Sequence, residues 1–273
     1  TMRASVAAQS LAAGAALVND VSGGLADPAM IPVVAETGAP FVVMHWRGFL
    51  EGGNVKGVYD DDVVAEVVDE LHARVEAVLA GGIAPDRIVV DPGLGFSKDA
   101  EHDLVLLAHL DRLLALGHPL LVAASRKRFL GRVLAGPESA PPPARERDAA
   151  TAAVSALAAQ AGAWAVRVHE VRATRDAVRV ARAVEGARAA ANAPGSHTAR
   201  PAQSEHHTPG ADTPSPAHTP QRAPGARALP VDMGRGRDRA LGVLGEAVPT
   251  LGDRGGVADD GERDVLGGCR GHR

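Results

Sequence analysis

The chain has one cysteine, Cys269, among 273 residues, which excludes an intramolecular disulfide. No Cys/His group with metal-site spacing is present, and the pair His206-His207 lies in a tail of poor complexity. Neither a P-loop nor a Gly-rich dinucleotide fingerprint occurs. Aromatic residues make up only 3% of the chain, so Ala, Val and Leu must fill its core. A net charge of −4 supplies no basic field, so nucleic acid is not an expected partner. The apolar runs are too short to span a bilayer and no signal-peptide pattern is present, which makes the cytoplasm the expected compartment.

Hydrophobic residues are 45% of the chain, enough for one large core or two small ones. Composition changes near Gly186. Before it the apolar periodicity is regular. After it come Pro, Gly, Ala, His and Arg without period, and the stretch 193–224 has too little apolar surface to offset chain entropy. The sequence divides into a folded region, 1–186, and a tail, 187–273, expected to be disordered. A natural linker and tail, or translation in a shifted frame, would each give that composition.

Within 1–186, five strand-like runs end on polar or charged residues: Ala16–Asp20, Phe41–His45, Arg87–Pro92, Leu120–Lys127 and Ala165–Glu170. Helical patterns separate them. Val63, Val64, Val67, Leu71, Val75 and Val78 follow the 3.6 period up to Gly81-Gly82, and the aspartates Asp60, Asp61 and Asp62 precede them as caps. Asp27-Pro28 opens a helix that ends at Gly38. Leu106 to Leu114 form a helix before Gly117, and Ala-rich helices end at Gly162 and Gly186. Strand–helix alternation means a parallel sheet. The expected fold is α/β, an incomplete TIM (β/α)8 barrel with about five of eight strand–helix units, since a closed barrel takes ~250 residues. The chain opens in a helical pattern with no strand before it, so the first three units are expected to be missing. An open doubly wound sheet of five strands fits the same pattern.

In a barrel the carboxyl ends of the strands share one face, which gives the polar ends a common purpose. Asn19 offers a donor and an acceptor suited to a planar heterocycle, and a turn-forming Asn-Asp is the competing reading. Asp91 stands before Pro92-Gly93-Leu94-Gly95, a loop whose glycines let backbone approach a ligand, and there a carboxylate can accept from a ring amidine. Asp-Pro-Gly is also a common turn. Lys127 lies in Arg126-Lys127-Arg128, where a strand end meets a helix start and both favour an anion or a ring oxygen. Arg167 and His169 alternate with Val166 and Val168, so both project to one side as an anion clamp. His45 is isolated and at best lines the site.

In order and spacing, Asn19-Asp20-Val21-Ser22-Gly23, Met44-His45, Asp91-Pro92-Gly93-Leu94-Gly95-Phe96, Ser125-Arg126-Lys127 with Phe129-Leu130-Gly131, and Arg167-Val168-His169 resemble the dihydropteroate synthase family. The resemblance covers residues 1 to about 186. It implies condensation of p-aminobenzoate with a dihydropterin methyl diphosphate, giving dihydropteroate and diphosphate. It further implies that Asn19, Asp91 and Lys127 bind the pterin, that Arg167, His169 and the Val168 backbone hold the diphosphate, and that Arg128 lies at the p-aminobenzoate pocket. Lys127, Arg167 and His169 would carry the catalysis. The resemblance also implies Mg2+ as cofactor, a homodimer, and sulfonamide sensitivity. By the resemblance, the family's earlier segments, Asn-Val-Thr-Pro-Asp-Ser-Phe, Glu-Ser-Thr-Arg-Pro and Ser-Val-Asp-Thr, are expected to be missing ahead of Thr1. No metal ligand is therefore assigned within this chain, and impaired turnover is expected. Two other readings remain: a non-catalytic fragment with residual pterin binding, and the related pterin-binding barrel of corrinoid methyltransferases. The Ser-Arg-Lys and Arg-Val-His motifs favour the synthase, because diphosphate capture needs cations.

Overall fold

Short runs of Val, Ile and Leu bounded by Gly or Pro become parallel strands, and the longer periodic stretches become the helices between them. The computed structural model describes residues 1–48, 57–136, 139–192 and 242–245. In chain order these form α1 (Ala4–Ala12), β1 (Val18–Asp20), α2 (Met30–Thr37), β2 (Phe41–Met44), α3 (Val63–Ala80) and β3 (Ile88–Asp91). There follow α4 (Ala100–Ala108), α5 (Leu110–Leu114), β4 (Leu121–Val122), α6 (Arg128–Leu134), α7 (Asp148–Ala161), β5 (Ala165–Val168), α8 (Val171–Ala191) and β6 (Gly242–Gly245).

The strands pair in parallel as β1-β2-β3 and β4-β5-β6. A parallel bridge between Val90 and Leu120 joins the two ladders. From β1 to β5, spatial order follows chain order without reversal. A doubly wound sheet needs such a reversal, so the arc is a TIM-barrel-like α/β arrangement instead. Strand alternation splits the core in two. Val18, Phe41, Val43, Ile88, Val90, Leu120, Val122, Val166 and Val168 pack with the helices. Leu17, Val42, Val89, Leu121, Ala123 and Ala165 belong to a second, smaller cluster, on the inner face of the arc.

Most helix ends follow the sequence signals. Asp62 accepts from Ala65 N at the start of α3, and Gly38 and Gly162 close α2 and α7 in the left-handed conformation. The helix expected from Asp27 begins instead at Met30, because the Asp27 carboxylate takes the Ala29 and Ala4 amides and so ties α1 to α2. The single Leu-rich helix expected before Gly117 breaks at His109, whose φ of −119° is not helical.

Two expectations for the end of the chain are corrected. α8 runs through Gly186 to Ala191, because Ala187 to Ala191 are strong helix formers and one glycine costs only about 1 kcal/mol. Gly242–Gly245, expected to be disordered, form β6 beside β5, with registers from Ala165↔Gly242 to Val168↔Gly245. An unpaired parallel edge accepts any short apolar segment that can reach it. The rest of the tail expected to be disordered, 193–241 and 246–273, lies outside the described residues.

Candidate active site

The residues that continue the inner-face alternation toward the strand ends are Asn19, Met44, Asp91, Ser125, Arg167 and His169. Asp20 and His45 fall on the opposite, helix-facing parity. This alternation separates the two readings of Asn19-Asp20. Asp20 is fully buried and accepts from Ser22 N (2.8 Å), Ser22 Oγ (2.8 and 2.9 Å) and Gly24 N (2.9 Å), so it builds the turn. Asn19 faces inward.

Asn19 Oδ1 accepts a hydrogen bond from Arg167 Nη1, while Asn19 Nδ2 is buried without a hydrogen-bond partner. Asp91 is also fully buried. Its Oδ1 accepts from Gly93 N at 2.8 Å. Its Oδ2 has no hydrogen bond and stands 3.5 Å from Arg167 Nη1. A buried donor and a buried acceptor thus lie unsatisfied on one face, each close to one guanidinium. Such groups are rare because each costs about 1–3 kcal/mol.

Lys127 crosses to the β3–α4 loop, where its Nζ donates to Leu94 O and sits 4.7 Å from the Phe96 ring centroid. A Cβ on Gly95 would come 3.0 Å from Lys127 Cδ, and the positive φ of 74° there also demands glycine. Of the three cations expected to form an anion site, Lys127 turns this way and Arg126 does not. Arg126 is held in the left-handed region (φ 57°) by a bidentate pair with Asp148 on α7, at 2.7 and 2.8 Å. Its amide donates to Thr151 Oγ1 and its carbonyl accepts from Arg147. These bonds fix a turn that costs about 1–3 kcal/mol of strain, and they aim the neighbouring lysine. Arg128 is exposed as the first residue of α6.

Arg167 and His169 share the inner face as expected but are engaged separately. Arg167 reaches across the arc to Asn19 and Asp91. His169 Nδ1 lies 2.9 Å from Ser125 Oγ, which also accepts from the His169 amide. The Val168 side chain is buried among the helices, which leaves its backbone for the inner face. His45 does not line the site. Its Nε2 meets Glu70 of α3 at 3.0 Å and its Nδ1 meets Lys98 Nζ at 2.9 Å. Burial and the Lys98 ammonium push its pKa down to about 3, so the ring is neutral. A cavity of about 320 Å³ opens beside His45, Glu70 and Arg74, on the helix side rather than among Asn19, Asp91 and Lys127.

Lys98, Asp103 and Asp148 were not singled out by sequence reasoning. Asp103 is buried and accepts from Gly95 N at 2.7 Å, which fixes the loop under Lys127. Its one signal is an acidic residue at a core-facing helical position. Among the described residues no group of three or more His, Cys, Asp or Glu could hold a metal ion. The magnesium expected from family resemblance therefore has no protein cage among them.

A buried amide and carboxylate thus stand together at parallel strand ends, with Arg167 of β5 between them and Lys127 against the adjoining β3–α4 loop. The sequence pattern of the pterin binding enzymes matches residues 1–169, and the chain belongs to that family. Within it, the chain is 53% identical over 180 residues to the dihydropteroate synthase of Mycobacterium leprae, covering 66% of this chain and 63% of that protein. It is 40% identical over 190 residues to the mitochondrial folate synthesis bifunctional protein of Arabidopsis thaliana, covering 66% and 33%. Among solved structures it resembles the dihydropteroate synthase of Xanthomonas albilineans in complex with 7,8-dihydropteroate (39% identity, TM-score 0.60, 68% of this chain and 65% of that one). It also resembles the Yersinia pestis enzyme in a sulfonamide drug complex (33% identity, TM-score 0.62, 68% and 65%). The chain spans 63% of the length of the Mycobacterium leprae relative.

Proposed function

We propose that the chain carries the pterin and diphosphate sites of a dihydropteroate synthase, which joins p-aminobenzoate to a dihydropterin methyl diphosphate in folate biosynthesis. The observation that carries this reading is the unsatisfied pair of Asn19 Nδ2 and Asp91 Oδ2 on one buried face. A pterin edge presents a ring oxygen and nitrogen acceptors beside N–H donors, so it satisfies both at once. Lys127, held over Phe96, reaches the same ring.

In the reaction, the methylene C–O bond to diphosphate breaks, a C–N bond to the arylamine forms, and the amine loses a proton. An arylamine is a weak nucleophile, so most is gained by stabilising the charge that develops on the leaving diphosphate. Arg167 now donates to Asn19 Oδ1 and stands as an ion-pair neighbour 3.5 Å from Asp91 Oδ2, beside the groups left for the pterin. Pterin binding releases its guanidinium toward the diphosphate, where the Val168 backbone and His169 join it. When Ser125 donates to His169 Nδ1, the ring proton sits on Nε2 as a further donor. Asp91 steadies the positive charge at the pterin methylene. The p-aminobenzoate carboxylate is placed at Arg128, at the start of α6. Magnesium, when bound, would neutralise diphosphate charge. A homodimer through the later helices is part of the reading, supported by exposed Leu157 on α7 and Val180 and Val184 on α8. No helix among the described residues is long and apolar enough to cross a membrane.

Binding of pteroic acid and diphosphate release test the reading on the full chain. Pteroic acid should bind, and Lys127→Ala should weaken it about tenfold or more. A folded chain that binds no pteroic acid overturns it. Binding without diphosphate release, with p-aminobenzoate and magnesium present, would leave a pterin-binding protein without turnover.

A further inference from the structure

Lys98 ends the β3–α4 loop with its side chain almost fully buried (7% exposed). Its ammonium makes three bonds: to His45 Nδ1 at 2.9 Å, Gly93 O at 3.2 Å and Phe96 O at 3.2 Å. An ammonium has three donors, so none is wasted. His45 serves as a fixed anchor. Its other nitrogen faces Glu70 of α3 at 3.0 Å, so Nε2 carries the proton and Nδ1 is left to accept from the lysine. Through this chain of bonds α3 and the end of β2 hold both ends of the Gly93–Phe96 segment.

That segment is held only in part by its own turn, in which Phe96 N donates to Gly93 O at 3.0 Å, and by Asp103, which accepts from Gly95 N. Ser97 sits at a φ of 51°, a left-handed position that disfavours a residue with a Cβ. Gly93 lies so close to β2 that a Cβ would meet His45 O at 2.4 Å. The segment also presents the groups that meet Lys127: the Leu94 carbonyl and the Phe96 ring. A buried methionine would fill the same space without the cost of desolvating an ammonium, a cost seen in the Lys98 pKa, which burial pushes down to about 7. Packing alone gives no reason for a lysine here. The Phe96 carbonyl and an imidazole nitrogen that need a donor give one, with the Gly93 carbonyl accepting from the ammonium in addition to its turn bond from Phe96 N.

We infer that Lys98 is a positioning residue of the site: its ammonium, anchored on His45, sets the β3–α4 loop so that Leu94 and Phe96 orient Lys127 and Asp91 keeps one oxygen open to ligand. The inference rests on the proposed pterin site for its ligand, but not for the loop geometry.

Amide hydrogen exchange and pteroic acid binding on the full chain test it. In Lys98→Met, exchange at Gly93, Gly95 and Phe96 should accelerate about tenfold relative to Val43 and Val90 in the sheet, and pteroic acid affinity should fall about tenfold. Glu70→Gln, at an exposed carboxylate, should loosen the same three amides by a smaller factor. In a Cys269→Ser background, Lys98→Cys alkylated with 2-bromoethylamine rebuilds the ammonium and should restore loop protection and affinity. The same thiol methylated should restore neither. Loop exchange that is unchanged in Lys98→Met overturns the inference, and so does equal rescue by methylation. If Lys98→Met loosens the whole sheet, Glu70→Gln decides, and an unaltered loop there overturns it. A wild-type chain that binds no pteroic acid defeats the pterin reading, while loop exchange still decides on Lys98.

Discussion

Asp20 and Asp91 are both fully buried carboxylates at the ends of parallel strands in the same ladder, and they do opposite things. Asp20 faces the helices and has both oxygens occupied by Ser22 and Gly24 of its own loop. Asp91 faces the inside of the arc and gives its loop only one oxygen, to Gly93. The other oxygen has an ion-pair neighbour in Arg167 but no hydrogen bond. One residue of strand parity separates a carboxylate that holds a turn from one that can hold a ligand. Residue type and strand position are the same. What distinguishes the two is how much hydrogen-bonding capacity the protein itself has used.

The comparison breaks if the two aspartates respond alike. Asp91→Ala should weaken pteroic acid binding about hundredfold or more, read by calorimetry, with a modest change in unfolding midpoint. Asp20→Ala should do the reverse. It strands the Ser22 and Gly24 amides in the interior at a cost of about 2–3 kcal/mol, read by urea unfolding, while the folded fraction keeps its affinity. A stability loss in Asp91→Ala matching that of Asp20→Ala would make both residues structural.

A smaller effect separates the pinned turn at Arg126 from the site it aims. Asp148 is held below the ordinary carboxylate range by its hydrogen bonds from Arg126. A depressed pKa in the folded state means the pair's contribution is fully present above the unfolded pKa of about 3.9 and is lost as pH falls through the folded value. Both partners are about a quarter exposed, so the pair is worth about 1 kcal/mol near neutrality. Asp148→Asn should show that deficit at pH 7 and lose it at acid pH, where wild type and variant converge. Parallel pH–stability curves would contradict it.

Much of the inner face is legible in the amino-acid sequence. Asn19, Asp91, Arg167 and His169 stand at strand ends and Lys127 at the helix start that follows one, and a polar residue that ends an apolar run in a parallel sheet has few places to point. The sequence also carries the parity that excludes His45, since it falls on the helix-facing set with Phe41 and Val43. Who pairs with whom is not legible there. Arg167 bonds Asn19 across 148 positions, and Arg126 turns away because Asp148 and Thr151 arrive from a helix later in the chain. Lys98 gives no sign beyond following a Gly-rich loop, because its meaning depends on His45 standing 53 positions earlier with its second nitrogen already committed. β6 is illegible for another reason: Gly242-Val243-Leu244-Gly245 has no periodicity of its own, and the open edge of β5 defines it.

That edge supplies the smallest expected effect. In a parallel pair, alternate residues of a strand direct their N–H groups to one neighbour, so adjacent residues cannot both point away from β5. A double substitution, Val243→Pro with Leu244→Pro, therefore removes at least one donor to β5 whichever residue faces it. β6 is a four-residue edge strand, and edge strands contribute little, so the loss should stay below about 1 kcal/mol. The informative reading is local: amides in β5 that pair with β6 should exchange faster, while β1 to β3 keep their protection. If β5 exchange is unaltered, its edge is covered by something other than Gly242–Gly245. If Arg167 contacts also loosen, β6 is part of what holds the guanidinium over Asn19 and Asp91, because Arg167 lies on the strand that β6 covers and the other two face it across the arc.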